Sequence, residues 1–119
     1  MITVPTASTK KVSTLFLSFF LLCFSMGAQA LGNITAGRQK ASMCDACHGL
    51  DGRSRMPEVP NLSGQGEGYV LSQLQAFKSG ARKNEQMAVI VQALSPQAME
   101  DLAAYFSAIE IKLVKVPGE

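Results

Sequence analysis

Five consecutive residues, Cys44-Asp45-Ala46-Cys47-His48, place two thiols and an imidazole at a spacing suited to one piece of chemistry. Two residues between the thiols let both straddle one edge of a porphyrin and form thioethers with its vinyl groups. The next residue then projects its imidazole over the iron. Two other uses of paired cysteines fit less well. A redox disulfide of the thioredoxin type follows a strand in a βαβ unit, whereas the residues before Cys44 have helical spacing. A structural zinc site takes four ligands, and beyond position 30 the chain holds no other Cys or His. The pattern points to one haem, covalently bound through Cys44 and Cys47, with His48 as a ligand to its iron.

The single His excludes a second imidazole from this chain, so a thioether is the natural second axial donor, and one that raises the reduction potential. Four methionines lie beyond position 30: Met43, Met56, Met87 and Met99. Met43 adjoins the attachment motif and cannot readily reach the opposite face of the ring. Met99 falls on an apolar helical stripe, where a core role is the simpler reading. Met56 follows His48 by only eight residues and is the reserve candidate. Met87, 39 residues beyond His48, leaves enough chain to travel round the ring edge.

Helices are the elements expected to position these groups. From Asn33, a good N-cap, to Ala46, the residues Ile34, Gly37, Ala41 and Cys44 recur at helical spacing. Gly49 to Gly68 contains five Gly together with Pro57 and Pro60 and keeps no period, which predicts a long loop wrapped around something. Over Glu67 to Ser79, Val70, Leu74 and Phe77 predict a helix closed by Gly80. Asn84 to Ala93 reads as helix rather than strand. Ser95-Pro96 caps and starts a last helix in which Met99, Leu102, Phe106 and Ile109 share one face. The glycine-rich stretch 64–68 lacks the preceding strand and following Lys-Ser/Thr of a phosphate loop. Its amides, with Gln65, Tyr69, Arg82 or Asn84, are candidates to hydrogen-bond the haem carboxylates instead.

The first thirty residues differ from the rest. Lys10 and Lys11 precede an apolar run, and Ala28-Gln29-Ala30 follows, the pattern of a cleavable export signal. Ser18, Ser25 and Gly27 interrupt the run too soon for a spanning helix of roughly 20 apolar residues. Cys23 leaves with this leader. Cleavage after Ala30 gives a domain of residues 31–119 with nine basic and nine acidic side chains. A neutral chain with no basic run argues against nucleic acid, whose binding draws on clustered Lys and Arg. So small a domain also benefits from a bound group that adds stability.

Taken in order, CDACHG (44–49), DGRS (51–54), PNLSGQ (60–65), YVLSQLQAFKSGAR (69–82), Asn84, Met87 and LSPQAMEDLAAYFSAI (94–109) resemble the class I cytochromes c. The resemblance is to the bacterial monohaem form that also occurs as each half of dihaem cytochromes, and it spans nearly all of residues 31–119. It implies an all-α, single-domain fold of about four helices, with long loops around one covalent haem c. It also implies that Met87 is the second iron ligand, that the Pro60 carbonyl orients His48 and that Leu62 packs on the porphyrin. A close crossing of the first and last helices is implied too, with Gly37 opposite Tyr105 or Phe106; Leu at position 37 would then force the helices apart, while Ala is expected to cost less or even help through its better helix propensity.

The function expected is a periplasmic one-electron carrier cycling Fe(III)/Fe(II), not an enzyme. It would have transient redox protein partners, no small-molecule substrate, and membrane contact only through partner complexes. The alternatives are a haem c subunit of a larger oxidoreductase, or a haem sensor or enzyme whose sixth ligand dissociates.

Overall fold

Asn33 turns the chain into its first helix. Its backbone is extended, and its side chain accepts the Ala36 amide at 2.9 Å, capping α1 (Ile34–Lys40). A computed structural model describes residues 32–112 and 114–118, so the leader, Cys23 and the cleavage site lie outside the described residues. After α1 the chain tightens into a 3-10 turn (Ala41–Met43) and then forms a single-turn helix, α2 (Asp45–His48). The continuous helix expected over Asn33 to Ala46 is therefore broken, which raises the number of α-helices among the described residues to five. The break has a geometric reason. In an unbroken helix Cys44, seven residues beyond Gly37, would share its face. The turn between them frees the cysteines to face elsewhere.

The remaining elements follow their local signals. Helix α3 (Glu67–Ser79) ends at Gly80, which takes the left-handed conformation at φ 78°. Asn84 is the N-cap of α4 (Glu85–Gln92), accepting the Met87 amide at 2.9 Å, and Ser95 caps α5 (Pro96–Ser107) through the Ala98 amide at 3.1 Å. Helices α1 and α3 both pack on α5, and α4 packs on α3. The core lies among them, with Val91, Leu102 and Phe106 fully enclosed and Met99 only 4% exposed. The stripe Met99, Leu102, Phe106 is thus buried as its spacing predicts, with Ile109 partly buried against it.

Where α1 meets α5 the two backbones nearly touch. A Cβ built on Gly37 would fall 2.0 Å from the Asp101 carbonyl oxygen and 2.7 Å from the Tyr105 Cβ, and one on Gly32 would fall 2.1 Å from the Glu100 carbonyl oxygen. The obstacle is chiefly helix backbone, which cannot swing aside as an aromatic ring can. This corrects the expectation that alanine is tolerated at position 37.

Asp101, buried on α5, binds α1 to the same surface. Its carboxylate accepts the Asn33 amide at 2.8 Å, the Lys40 ammonium at 2.9 Å and the Gln97 amide at 3.0 Å. The Asn33 amide, with Lys40 and Gln97, lowers the Asp101 pKa from 3.8 to about 2 against the opposing effect of burial. No sequence signal singled out this residue, because an acid between apolar neighbours reads as an ordinary exposed helix position.

Two outcomes follow. Gly37→Ala should destabilise the fold by ~1–3 kcal/mol, the usual range for overpacking, despite a helix-propensity gain of up to ~1 kcal/mol. An unfolding midpoint equal to or above the wild type would refute the backbone contact. For Asp101, the unfolded chain binds the extra proton first, so its contribution is complete above about pH 4 and is lost as pH falls toward 2. Asp101→Asn should cost about 2 kcal/mol near neutrality, as for hydrogen bonds to a charged group. The difference from wild type should shrink as pH falls from 4 to 2, and a pH-independent difference in denaturant melts would refute the role given to the charge.

Candidate functional site

Helix α2, the loop 49–66 and helices α3, α4 and α5 enclose a mostly apolar cleft of about 280 Å³. Its lining includes Cys44, Cys47, His48, Pro60, Leu62 and Met87, so the fold gathers around one cleft the attachment, ligand and packing residues marked from the sequence and the resemblance, with the reserve ligand Met56 left outside. Leu74, Phe77, Ile90, Leu94, Leu102 and Phe106 add much of the apolar surface. Pockets that take organic cofactors have this character, largely apolar with a few convergent polar groups.

His48 is 8% exposed, and its Nδ1–H donates to the Pro60 carbonyl at 2.9 Å. A carbonyl can only accept, so this bond fixes the tautomer and leaves the Nε2 lone pair free for a metal. The loop that delivers Pro60 has no regular secondary structure but is held at many points. The Arg55 amide donates to the Cys47 carbonyl at 2.8 Å, and the Leu62 amide to the Gly52 carbonyl at 2.7 Å. The Ser54 amide donates to the Asn61 side chain at 2.7 Å. Two anchors come from α5, with the Tyr105 hydroxyl donating to the Leu50 carbonyl at 2.7 Å and the Phe106 carbonyl accepting the Gly64 amide at 3.0 Å. The Gly64 amide is therefore engaged within the fold.

One turn of this loop stores strain. Glu58 sits at φ 69°, the only positive φ among the described non-glycine residues, two positions before Pro60. Such conformations cost of order 1–3 kcal/mol and persist where surrounding structure over-determines them. Nothing in the residue types around Glu58 signals this, since Met56-Pro57-Glu58 reads as an ordinary proline turn.

The two thiols form no disulfide. Burial, with the neighbouring Cys47 adding to it, pushes the Cys44 thiol up from 9.0 to about 11. The four methionines divide clearly. Met43 and Met87 line the cleft, Met99 is in the core, and Met56 is 44% exposed and absent from the cleft lining. Met87 sits in the first turn of α4, half-buried, where the Asn84 cap fixes its backbone.

The comparisons with known proteins agree with this architecture. A family model described as Cytochrome c matches residues 34–110. The chain is 46% identical over 89 residues to cytochrome c4 of Stutzerimonas stutzeri, an alignment covering 67% of this chain and 42% of that protein. It is 40% identical over 82 residues to cytochrome c-554(548) of Halomonas halodenitrificans, covering 66% of this chain and 99% of that protein. Among solved structures, reduced recombinant cytochrome c4 from Pseudomonas stutzeri superposes with a TM-score of 0.61 at 45% identity, over 65% of this chain and 45% of that one. The chain thus spans about half the length of the cytochrome c4 relatives or less. A buried imidazole with a free nitrogen, two adjacent thiols and an apolar cleft, together with a match that covers nearly all the described residues, show that the chain belongs to the cytochrome c family, with the class I fold and a likeness to one half of a dihaem protein.

Proposed function

We propose that this protein is a periplasmic one-electron carrier in which Cys44 and Cys47 hold one haem c and His48 and Met87 are its axial ligands. The family carries covalent haem c and transfers electrons. The bound group supplies a one-electron Fe(III)/Fe(II) couple. The observation that carries the reading is the convergence on one apolar cleft of two thiols, an imidazole with its Nε2 free and a thioether.

The protein residues act by binding and holding. Cys44 and Cys47 tether the ring, so the carrier cannot lose it when diffusing between partners. The Pro60 carbonyl keeps the His48 ring from turning and raises its basicity. Leu62 and the α5 residues Leu102 and Phe106 exclude water from the cleft wall, and the soft Met87 sulfur favours the reduced state. With His48 and Met87 both holding the iron, a bound haem would offer no open position to a substrate, which supports a carrier rather than an enzyme. Transient redox proteins are the expected partners, with membrane contact only through their complexes. The periplasmic location rests on the export-signal pattern of residues 1–30.

The denatured, purified protein should retain haem on a gel and show no titratable thiol. Two free thiols without haem would refute the attachment. Met87→Ala should abolish the sulfur-to-iron charge-transfer band, lower the potential and let carbon monoxide or cyanide bind. Met99→Ala should keep the band while losing ~2–5 kcal/mol of stability, as buried Met truncations do. Met56→Ala should change neither. Loss of the band in Met56→Ala and its retention in Met87→Ala would reassign the ligand, and a wild type that lacks the band and binds exogenous ligands freely would favour a sensor or enzyme.

A further inference from the structure

We infer that Lys78 is a positioning residue for the sulfur ligand: its ammonium, bonded to the Leu94 carbonyl, latches the root of α4 and so keeps Met87 in place at the cleft. This inference rests on the function proposed above, in which Met87 is an axial ligand. Helix α4 delivers Met87 and is unevenly supported. Near its end Val91 is fully enclosed, and Leu94, just beyond it, is 4% exposed. Toward its start every residue from Ala81 to Gln86 is exposed, and Met87 itself is half-buried. The helix is therefore rooted in the core at its C-terminal end and carries the thioether toward its freer end.

Few bonds tie this helix to the rest of the fold. Helix α3 is the one on which it chiefly packs. At the entry to α4 the Arg82 amide donates to the Ala76 carbonyl at 3.0 Å, and the Arg82 guanidinium lies over the Phe77 ring at 4.6 Å. At the exit the Lys78 ammonium, from the last turn of α3, donates to the carbonyl of Leu94, 16 residues along the chain. Leu94 is buried, so its carbonyl would be costly to leave without a donor, and no backbone amide among the described residues bonds to it. Helix α4 has no basic residue in its own last turn, so Lys78 supplies from α3 the cation that the negative end of a helix favours. Lys78 is half-buried and forms no ion pair among the described residues, which leaves its ammonium committed to this carbonyl.

Leverage connects that bond to the sulfur. Leu94 follows Met87 by seven residues, a span of about 10 Å along a helix. A tilt of about 10° at the root would therefore carry Met87 by nearly 2 Å, whereas a metal–ligand distance tolerates only about 0.2 Å. Apolar burial of Val91 is non-directional and opposes such a tilt weakly. A hydrogen bond from a cation fixes direction as well as distance.

The test uses the ferric holoprotein and reads the fraction in which Met87 has left the iron. Its probe is imidazole in mildly alkaline buffer, a neutral ligand that the change of charge at position 78 neither attracts nor repels. Apparent affinity for such a ligand scales with the open fraction. Lys78→Met keeps an apolar stem and removes the ammonium, so imidazole affinity should rise about tenfold, the factor that losing one hydrogen bond from a charged donor gives. The sulfur-to-iron charge-transfer band should then melt at a lower temperature than the helical circular dichroism. Lys78→Arg, which can still donate to Leu94, should restore most of the wild-type behaviour. Should Lys78→Met not fold, Lys78→Gln, too short to reach the carbonyl in the same way, should show the same rise. In a Met87→Ala background Lys78→Met should leave imidazole affinity unchanged, because no sulfur remains to be displaced. A lower overall melting temperature with unchanged imidazole affinity, or an equal rise in the Met87→Ala background, would overturn the latch and leave the carrier standing. A wild type without covalent haem, or without the band, would take down both.

Discussion

The contact on which the rest depends is the meeting of two helix backbones at Gly37 and Asp101. With no Cβ on Gly37, α1 lies against α5 at a separation that the carbonyl of Asp101 itself defines. Ala104, a small residue on α5, is buried beside this crossing, where a Cβ on Gly32 would fall 2.9 Å from its own. At that closeness the Asn33 amide and the Lys40 ammonium both reach the Asp101 carboxylate, so a steric fit and a charge network hold the same pair of helices. The thiols and the imidazole follow α1 by only a few residues. Their position therefore derives from this crossing, passed through the 3-10 turn that points them at the cleft.

Helix α5 serves the crossing on one side and the site on another. Asp101 and Tyr105 meet α1, while Leu102 and Phe106, each one position further along, line the cleft. Tyr105 and Phe106 also hold the long loop, through the Leu50 carbonyl and the Gly64 amide. A loop of irregular backbone must satisfy its polar groups individually. Here those bonds bring the Pro60 carbonyl to His48, so the imidazole is oriented by residues that the last helix anchors. An imidazole held in this way cannot reorient when the charge on a bound metal changes, a property suited to one-electron transfer.

The site is apolar in its depth and polar at its rim. Leu94, Leu102, Phe106 and Phe77 are buried along the cleft wall, whereas Arg82, Lys83, Tyr69 and Glu58 are exposed. A ligand with one apolar and one charged edge can satisfy both zones in a single orientation. That complementarity is a stronger constraint on the bound group than cleft volume.

Much of this could be read in residue types and local spacing, because the determinants are short-range. The Cys-x-x-Cys-His order specifies its chemistry within five residues. Asn33, Ser95-Pro96 and Gly80 mark helix ends through bonds to neighbours, and Met99, Leu102 and Phe106 reveal a buried face by period alone. Pro60, Leu62 and Gly37 needed the family resemblance to be noticed. The structure adds the His48–Pro60 bond and the half-buried setting of Leu62, and it turns the tolerance expected at Gly37 into a backbone clash. Tertiary structure alone decided the break between α1 and α2, the buried Asp101 network and the left-handed Glu58. The Asp101 network joins partners far along the chain, 68 residues apart for Asn33 and Asp101, and no local pattern carries a contact whose other half is set by how two helices cross.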